Sequence, residues 1–89
     1  MAWIVELTPE AVDNLKKIGT ADAKRILKFL HNRLLHHDNP RAIGDRLQGS
    51  LREFWRYRVG NYRILCRLED AIITVFVVSI GHRRDVYKR

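Results

Sequence analysis

The chain has 89 residues, 46% of them apolar, enough for one modest hydrophobic core and too few for two. That content excludes a disordered chain, and no run of about 18 apolar residues is present to cross a membrane as a helix. The formal net charge is +7, and it is uneven: residues 41–89 hold eleven basic side chains, ten of them arginine, against five acidic ones. A half-domain this basic predicts a polyanion or an acidic protein as partner; the bland alternative is a solvated face that only keeps the protein soluble. The opening Met1-Ala2-Trp3-Ile4-Val5-Glu6 lacks the basic start of a signal peptide, and the single cysteine, Cys66, has no partner for an internal disulfide. Both point to a cytoplasmic protein.

In chain order, residues 2–7 (AWIVEL) read as a short strand. Thr8, Pro9 and Glu10 then start a helix as N-cap, first helical residue and first-turn acid. Ala11, Leu15 and Ile18, with Val12 beside them, form its apolar stripe, and Gly19 ends it. Thr20 is the expected cap of a second helix running to about His37, with Ile26, Leu27, Leu30 and Leu34 at helical spacing and Asp38-Asn39-Pro40 as its stop. Residues 38–51 read as a loop or short helical turn. From Glu53 the period changes to two, predicting strands at 53–59, 62–68 and 71–80, with turns at Gly60-Asn61 and Glu69-Asp70. The whole chain, residues 1–89, is thus expected to be one α+β domain. Its order is β-α-α-β-β-β, a helical hairpin packed on one face of a small, mainly antiparallel four-stranded sheet.

The stretch FWRYRVGNYRI is the most informative. A two-residue turn at Gly60-Asn61 pairs Val59 with Tyr62, Arg58 with Arg63, Tyr57 with Ile64 and Arg56 with Leu65. Alternation then puts Trp55, Tyr57, Val59, Tyr62, Ile64 and Cys66 on one face and Arg56, Arg58, Arg63 and Arg67 on the other. Two arginines directly opposed across a ladder cost a few tenths to about 1 kcal/mol. One resolution is that they splay into water, where the repulsion is screened. The other is that the face holds phosphate, because arginine offers a bidentate fork to that group. The polar tail adds His82, Arg83, Arg84 and Tyr87, and Gly81 is expected to let it bend back over the sheet. Arginine cannot accept a proton at cellular pH, but it can stabilise the added charge of a pentacovalent phosphate, while Tyr87 can exchange a proton or stack on a base.

The runs WRYRVGNYRI and SIGHRRDVY, separated by an apolar strand, closely resemble the RelE family of bacterial and archaeal toxins. The resemblance spans the chain, including the loop with Pro40, Leu47 and Gly49. It implies a ribosome-dependent mRNA endonuclease of a type II toxin–antitoxin system, acting in the A site of the 70S ribosome through attack of a ribose 2′-OH on its adjacent phosphate. No metal or other cofactor is implied. The implied catalytic residues are Arg63, Arg83 and Tyr87, the implied RNA contacts are Arg56, Arg58, Arg67 and Arg84, and His82 is a candidate for proton transfer. The implied partners are the ribosome, its mRNA and a cognate RelB-like antitoxin with an acidic or amphipathic segment; no membrane is involved. Well-studied members carry lysines where this chain has Arg56 and Arg58, and a longer turn at Gly60-Asn61, so here those two positions are expected to act electrostatically. Relatives of ParE type use the same fold to inhibit DNA gyrase, and a non-catalytic RNA-binding module is a further alternative. The joint presence of Arg63, Arg83 and Tyr87 favours RNA cleavage.

Other reactive residues read as structural. Cys66 falls on the apolar face, as a core residue rather than a nucleophile. Trp55 and Tyr57 alternate with arginine and so pack inward instead of stacking on bases. His36 and His37 point apart on a helix, and with His31 they make no zinc set.

Overall fold

The computed structural model describes residues 3–35 and 38–82. Strand β1 (Ile4–Leu7) leads into Thr8, whose hydroxyl oxygen accepts a hydrogen bond from the Ala11 N–H at 3.2 Å. This cap, followed by Pro9, starts helix α1 (Pro9–Lys17). Gly19, at φ 96°, turns the chain within one residue into α2 (Thr20–Phe29). Gly19, and not Thr20, is therefore the N-cap; Thr20 is already helical and makes no cap bond. The helix continues into one π-helical turn, Leu30–Leu34, in which the Leu35 N–H reaches back five residues to the Leu30 carbonyl at 2.8 Å. Ile26, Leu30 and Leu34 are buried, whereas Leu27 is 45% exposed. Leu27 was expected on that stripe, but it stands about 100° around the helix from Ile26, beyond the edge of the buried face. No described helix is long and apolar enough to cross a membrane.

After a 3₁₀ turn at Pro40–Ile43 come β2 (Asp45–Arg46), a second 3₁₀ turn (Gly49–Leu51), β3 (Trp55–Val59), β4 (Tyr62–Glu69), a third 3₁₀ turn (Asp70–Ile72) and β5 (Thr74–His82). The sheet order is β1-β5-β4-β3-β2, with β1 parallel to β5 and the remaining pairs antiparallel. The sheet has five strands where four were expected. The additional one is only two residues long, too short for alternation to show. Strand β5 starts at Thr74 and not at 71, because the turn closes through Ile73 in the left-handed region at φ 48°.

The β3–β4 register is the expected one: Arg58 faces Arg63, Tyr57 faces Ile64 and Trp55 faces Cys66. Gly60 has φ 59° while Asn61 stays at negative φ, the pattern of a type II′ turn. Tyr57, Ile64, Cys66, Val75, Val77 and Ile80 meet Ile26, Leu30 and Leu34 in one core between sheet and helices.

Strand β5 does not keep a single alternation. Leu65 pairs with Ser79 but Cys66 pairs with Val77, leaving Val78 as a bulge. Val75 and Val77 face the helices before it, and Ile80 faces them after it. The Thr8 hydroxyl lies 3.0 Å from the Val77 carbonyl and 2.8 Å from that of Val78, and its proton is shared between them. The Thr8 N–H also donates to the Val77 carbonyl at 3.0 Å, and the Ile80 N–H donates to Asn14 Oδ1 at 2.8 Å. Helix α1 thus takes over the edge of β5 where β1 stops.

The edge loop is held by Tyr57. Its buried hydroxyl donates to the Pro40 carbonyl at 2.7 Å, and a Cβ on Gly44 would sit 2.7 Å from the ring's Cε1 and 2.9 Å from its Cζ. Burial pushes the Tyr57 phenol well above its ordinary value, so it remains the donor. Two stability losses are expected in urea unfolding. Gly44→Ala should lose about 1–3 kcal/mol, because the pinned ring cannot move aside. Thr8→Val keeps the shape but removes the cap and the bulge bond, and should lose about 1–2 kcal/mol. A wild-type midpoint for either variant would contradict the corresponding contact.

Candidate phosphate-binding face

The bulge and the hairpin together arrange the face opposite the helices in three rows. By cross-strand pairing, Arg58, Arg63 and Gly81 form the row nearest the turn. Asp45, Arg56, Leu65 and Ser79 form the next, and Arg67, Phe76 and Glu6 the last. Four of the seven arginines and histidines expected at the site therefore share one surface: Arg56, Arg58, Arg63 and Arg67. His82 pairs with Tyr62, on the helix side of the sheet, with its ring 6.1 Å from the tyrosine ring in an edge-on contact. Arg83, Arg84 and Tyr87 lie outside the described residues.

The opposed Arg58 and Arg63 avoid each other by turning to different acceptors. Arg58 leans toward Asp45, Nη2 to Oδ2 at 3.9 Å. Arg63 folds back on the turn, donating from Nη1 to the carbonyls of Gly60 at 3.3 Å and Tyr62 at 3.2 Å. Among the described residues no carboxylate pairs with Arg63. Arg56 donates to Asp45 Oδ2 at 2.9 Å, and its side chain is less exposed, at 22%, than those of Arg58 and Arg67. That hydrogen bond, with the charges of Arg56 and Arg58, holds the Asp45 carboxyl below its ordinary range, although the slight burial acts the other way. Arg67 is bound one row away, 3.2 Å from Glu69 and over the Phe76 ring at 5.9 Å.

Gly81 continues β5 directly across from Arg63, so the expected bend at this residue is not there. Its role is different: with no side chain opposite Arg63, the described residues leave the upper row open. Beneath it, Leu65 and Ser79 are nearly fully buried on the arginine side, and among the described residues the Ser79 hydroxyl has no hydrogen-bond partner.

Sequence reasoning missed Asp45. It comes from a strand of two residues, eleven positions before Arg56, and no periodic signal marks it. Cys66 is fully buried, and burial pushes its thiol up, which keeps it protonated and unreactive. Trp55 and Tyr57 both pack on the core, and the Arg41 guanidinium lies 5.7 Å above the Trp55 ring while it grips Asp70 with two bonds of 2.8 Å. Among the described residues no group of three His, Cys, Asp or Glu side chains could hold a metal ion.

Two helices on one face of a mixed sheet, with arginines on the other, define a RelE-like α+β toxin fold. The crystal structure of the RelBE2 toxin–antitoxin complex from Mycobacterium tuberculosis superposes with a TM-score of 0.85 at 26% identity, over 93% of this chain and all of that one. The free Escherichia coli toxin RelE, in a double arginine-to-alanine variant, gives 0.75 at 23% identity over 97% and 88% of the two chains. The RelE–RelB complex of Pyrococcus horikoshii gives 0.71 at 22% identity over 97% of this chain and all of that one. In sequence, Toxin RelG of Mycobacterium tuberculosis is 29% identical over 89 residues, the full length of both proteins. A family model described as ParE toxin of type II toxin-antitoxin system, parDE, matches residues 5–87. The chain belongs to this family and is a toxin of the RelE/ParE superfamily.

The Asp45 pair has a pH signature. The folded value lies below the ordinary 3.8, so the pair contributes above that value and is lost as pH falls through the depressed one. Carboxyl-carbon NMR should place the Asp45 midpoint under 3.8 in the wild type and move it up toward 3.8 in Arg56→Ala. Equal midpoints in the two proteins would show that Arg56 is not its partner in solution.

Proposed function

We propose that this toxin is a ribosome-dependent mRNA endonuclease that cuts in the A site and thereby stops translation. The ribose 2′-hydroxyl loses its proton to solvent as its oxygen attacks the adjacent phosphorus, the bond to the 5′-oxygen of the next nucleotide breaks as that oxygen takes up a proton, and a 2′,3′-cyclic phosphate and a 5′-hydroxyl remain. The observation that carries the reading is Arg63: a guanidinium without a carboxylate partner among the described residues, standing opposite Gly81 and beside Arg58 on the face opposite the two described helices. A phosphate in that opening can exchange the weak turn carbonyls for its own oxygens. Arg56 and Arg58 then hold the phosphodiester, and Asp45 keeps Arg56 extended until the phosphate takes its place. Arg63 stabilises the charge that develops on the phosphorane, a term that preorganised donors supply most effectively.

The tail contributes Arg83 as a second stabilising cation and Tyr87 as the group that passes a proton to the leaving oxygen. Arg67 and Arg84 attract the flanking backbone, and His82, at the end of β5, is the other proton-transfer candidate. The partner in the resting cell is a RelB-like antitoxin, as in the RelE–RelB complexes that share this fold, with an acidic or amphipathic segment covering the arginine face. A second reading, inhibition of DNA gyrase, is favoured by the ParE description of the matching family model.

Primer extension on cellular mRNA after induction separates the two. Codon-positioned cuts that require translation support the endonuclease; DNA breaks and loss of supercoiling activity without such cuts support the gyrase inhibitor. In single-turnover cleavage on programmed ribosomes, Arg63→Ala should be slowed by roughly 100-fold or more. Its stability should stay within about 0.5 kcal/mol of wild type, since among the described residues the side chain reaches only turn carbonyls. Arg83→Ala should behave likewise, and near wild-type cleavage by either folded variant would remove that residue from the site.

A further inference from the structure

We propose that the loop joining β2 to β3 forms a second nucleotide-binding subsite, which takes one nucleotide of the same single-stranded RNA. The inference rests on the endonuclease reading and extends it beyond the reacting phosphate. The loop encloses an open recess of ≈ 380 Å³ lined by Arg46, Leu47, Gln48, Gly49 and Arg52. That volume is at the lower end of small-ligand sites, about 300–1,000 Å³, and suits one nucleotide.

The charge around it is not paired with carboxylates, as is also true of Arg33 and Arg63 among the described residues. Arg25, Arg41, Arg56, Arg58 and Arg67 each face a carboxylate. Among the described residues neither Arg46 nor Arg52 makes an ion pair, although Glu53 follows Arg52 in the chain. The two segments are joined by one side-chain hydrogen bond: Arg46 Nε donates to the Arg52 carbonyl at 3.2 Å. That bond fixes the Arg46 side chain across the loop and leaves its terminal nitrogens for an incoming phosphate. The half-buried Leu47 offers apolar surface to the face of a base, and the Gln48 amide can both donate to and accept from a base edge. Gly49, at φ 66°, has nothing within 4 Å of where a Cβ would stand, so the rim is open.

The recess also lies within reach of the arginine face. Arg46 pairs with Trp55, three positions along β3 from Arg58, and β2 is two strands from β4. By alternation Arg46 shares the face of Trp55, so it leaves the sheet on the helix side; strand spacings put the Arg46 and Arg63 backbones about 14 Å apart, and because β2 is an edge strand of the described sheet, one RNA strand touches both by passing around that edge. An acidic peptide could satisfy the two guanidinium groups, but a carboxylate side chain alone would leave most of the recess empty.

The test is fluorescence anisotropy of a fluorescein-labelled octa-adenylate titrated with the wild-type protein, the Arg46→Ala/Arg52→Ala variant and the Arg46→Lys/Arg52→Lys variant, each at several KCl concentrations. The alanine pair should raise Kd about tenfold and reduce the salt slope by about 1. The lysine pair should recover part of the affinity, because it keeps charge and loses the fork. Both variants change exposed side chains, and unchanged thermal melting will verify that they are folded. Affinity within twofold of wild type for a folded alanine pair overturns the subsite. So does unchanged RNA affinity with lost binding of a labelled poly-glutamate peptide, which would make the recess a protein-docking surface, and so does a wild-type protein that does not bind octa-adenylate. Wild-type binding without mRNA cleavage on ribosomes would instead sink the endonuclease reading and leave the RNA contact at the recess in place.

Discussion

The arrangement of the arginine face depends on the Val78 bulge and on the Thr8 hydroxyl that holds it. A strand with uninterrupted alternation would put Ser79 and Gly81 with Val75 and Val77 against the helices, and would turn Ile80 outward. The added residue reverses that assignment. Ile80 returns to the core, and Gly81 comes to stand opposite Arg63. The same threonine caps α1, so the start of the first helix and the facing of the last strand are set by one side chain. The link spans 69 residues of sequence, which makes it a closing contact of the fold rather than a local one.

Charge on the opposite face is balanced unevenly, and the unevenness is informative. An exposed ion pair contributes little to stability, so the pairs made by Arg41, Arg56 and Arg67 matter mainly for position. Arg41 is fixed between Asp70 and the Trp55 ring, Arg67 between Glu69 and the Phe76 ring, and Arg56 by Asp45. Among the described residues, Arg63 is held only by turn carbonyls. In the proposed endonuclease, a phosphate arriving at this surface would meet one loosely committed guanidinium between better-anchored neighbours. That gradient suits a residue whose contact strengthens as charge develops.

The edge loop serves the same surface from below. Tyr57 lies in the core, yet its hydroxyl and ring set the path of Pro40 to Gly44, and that path delivers Asp45 to the arginines. A core residue thus determines where a surface carboxylate stands. Close packing makes this possible, because the Gly44 backbone approaches the ring more closely than any side-chain-bearing residue could.

The hairpin was fully legible in the sequence. Gly60-Asn61 and the strict period of two determined the pairing of Arg58 with Arg63, the inward placement of Trp55, Tyr57 and Cys66, and the shared face of four arginines. Helix α1 was legible for the same reason: its cap, its proline and its stripe are local chemistry. Family resemblance to RelE-type toxins was also carried by short runs of residues, and the family match agrees with it. Residues 72–80 were different. An unbroken apolar run contains no period, so neither the bulge at Val78 nor the facing of Ser79 and Gly81 could be read from it, and the expected bend is not at Gly81, which stays in the strand. Asp45, the short β2 and the Arg46–Arg52 recess likewise depend on where a loop is pulled by a distant tyrosine. Local patterns decide which face a side chain takes along one strand; only tertiary contacts decide where that alternation is broken and which distant acid or cation is brought beside it.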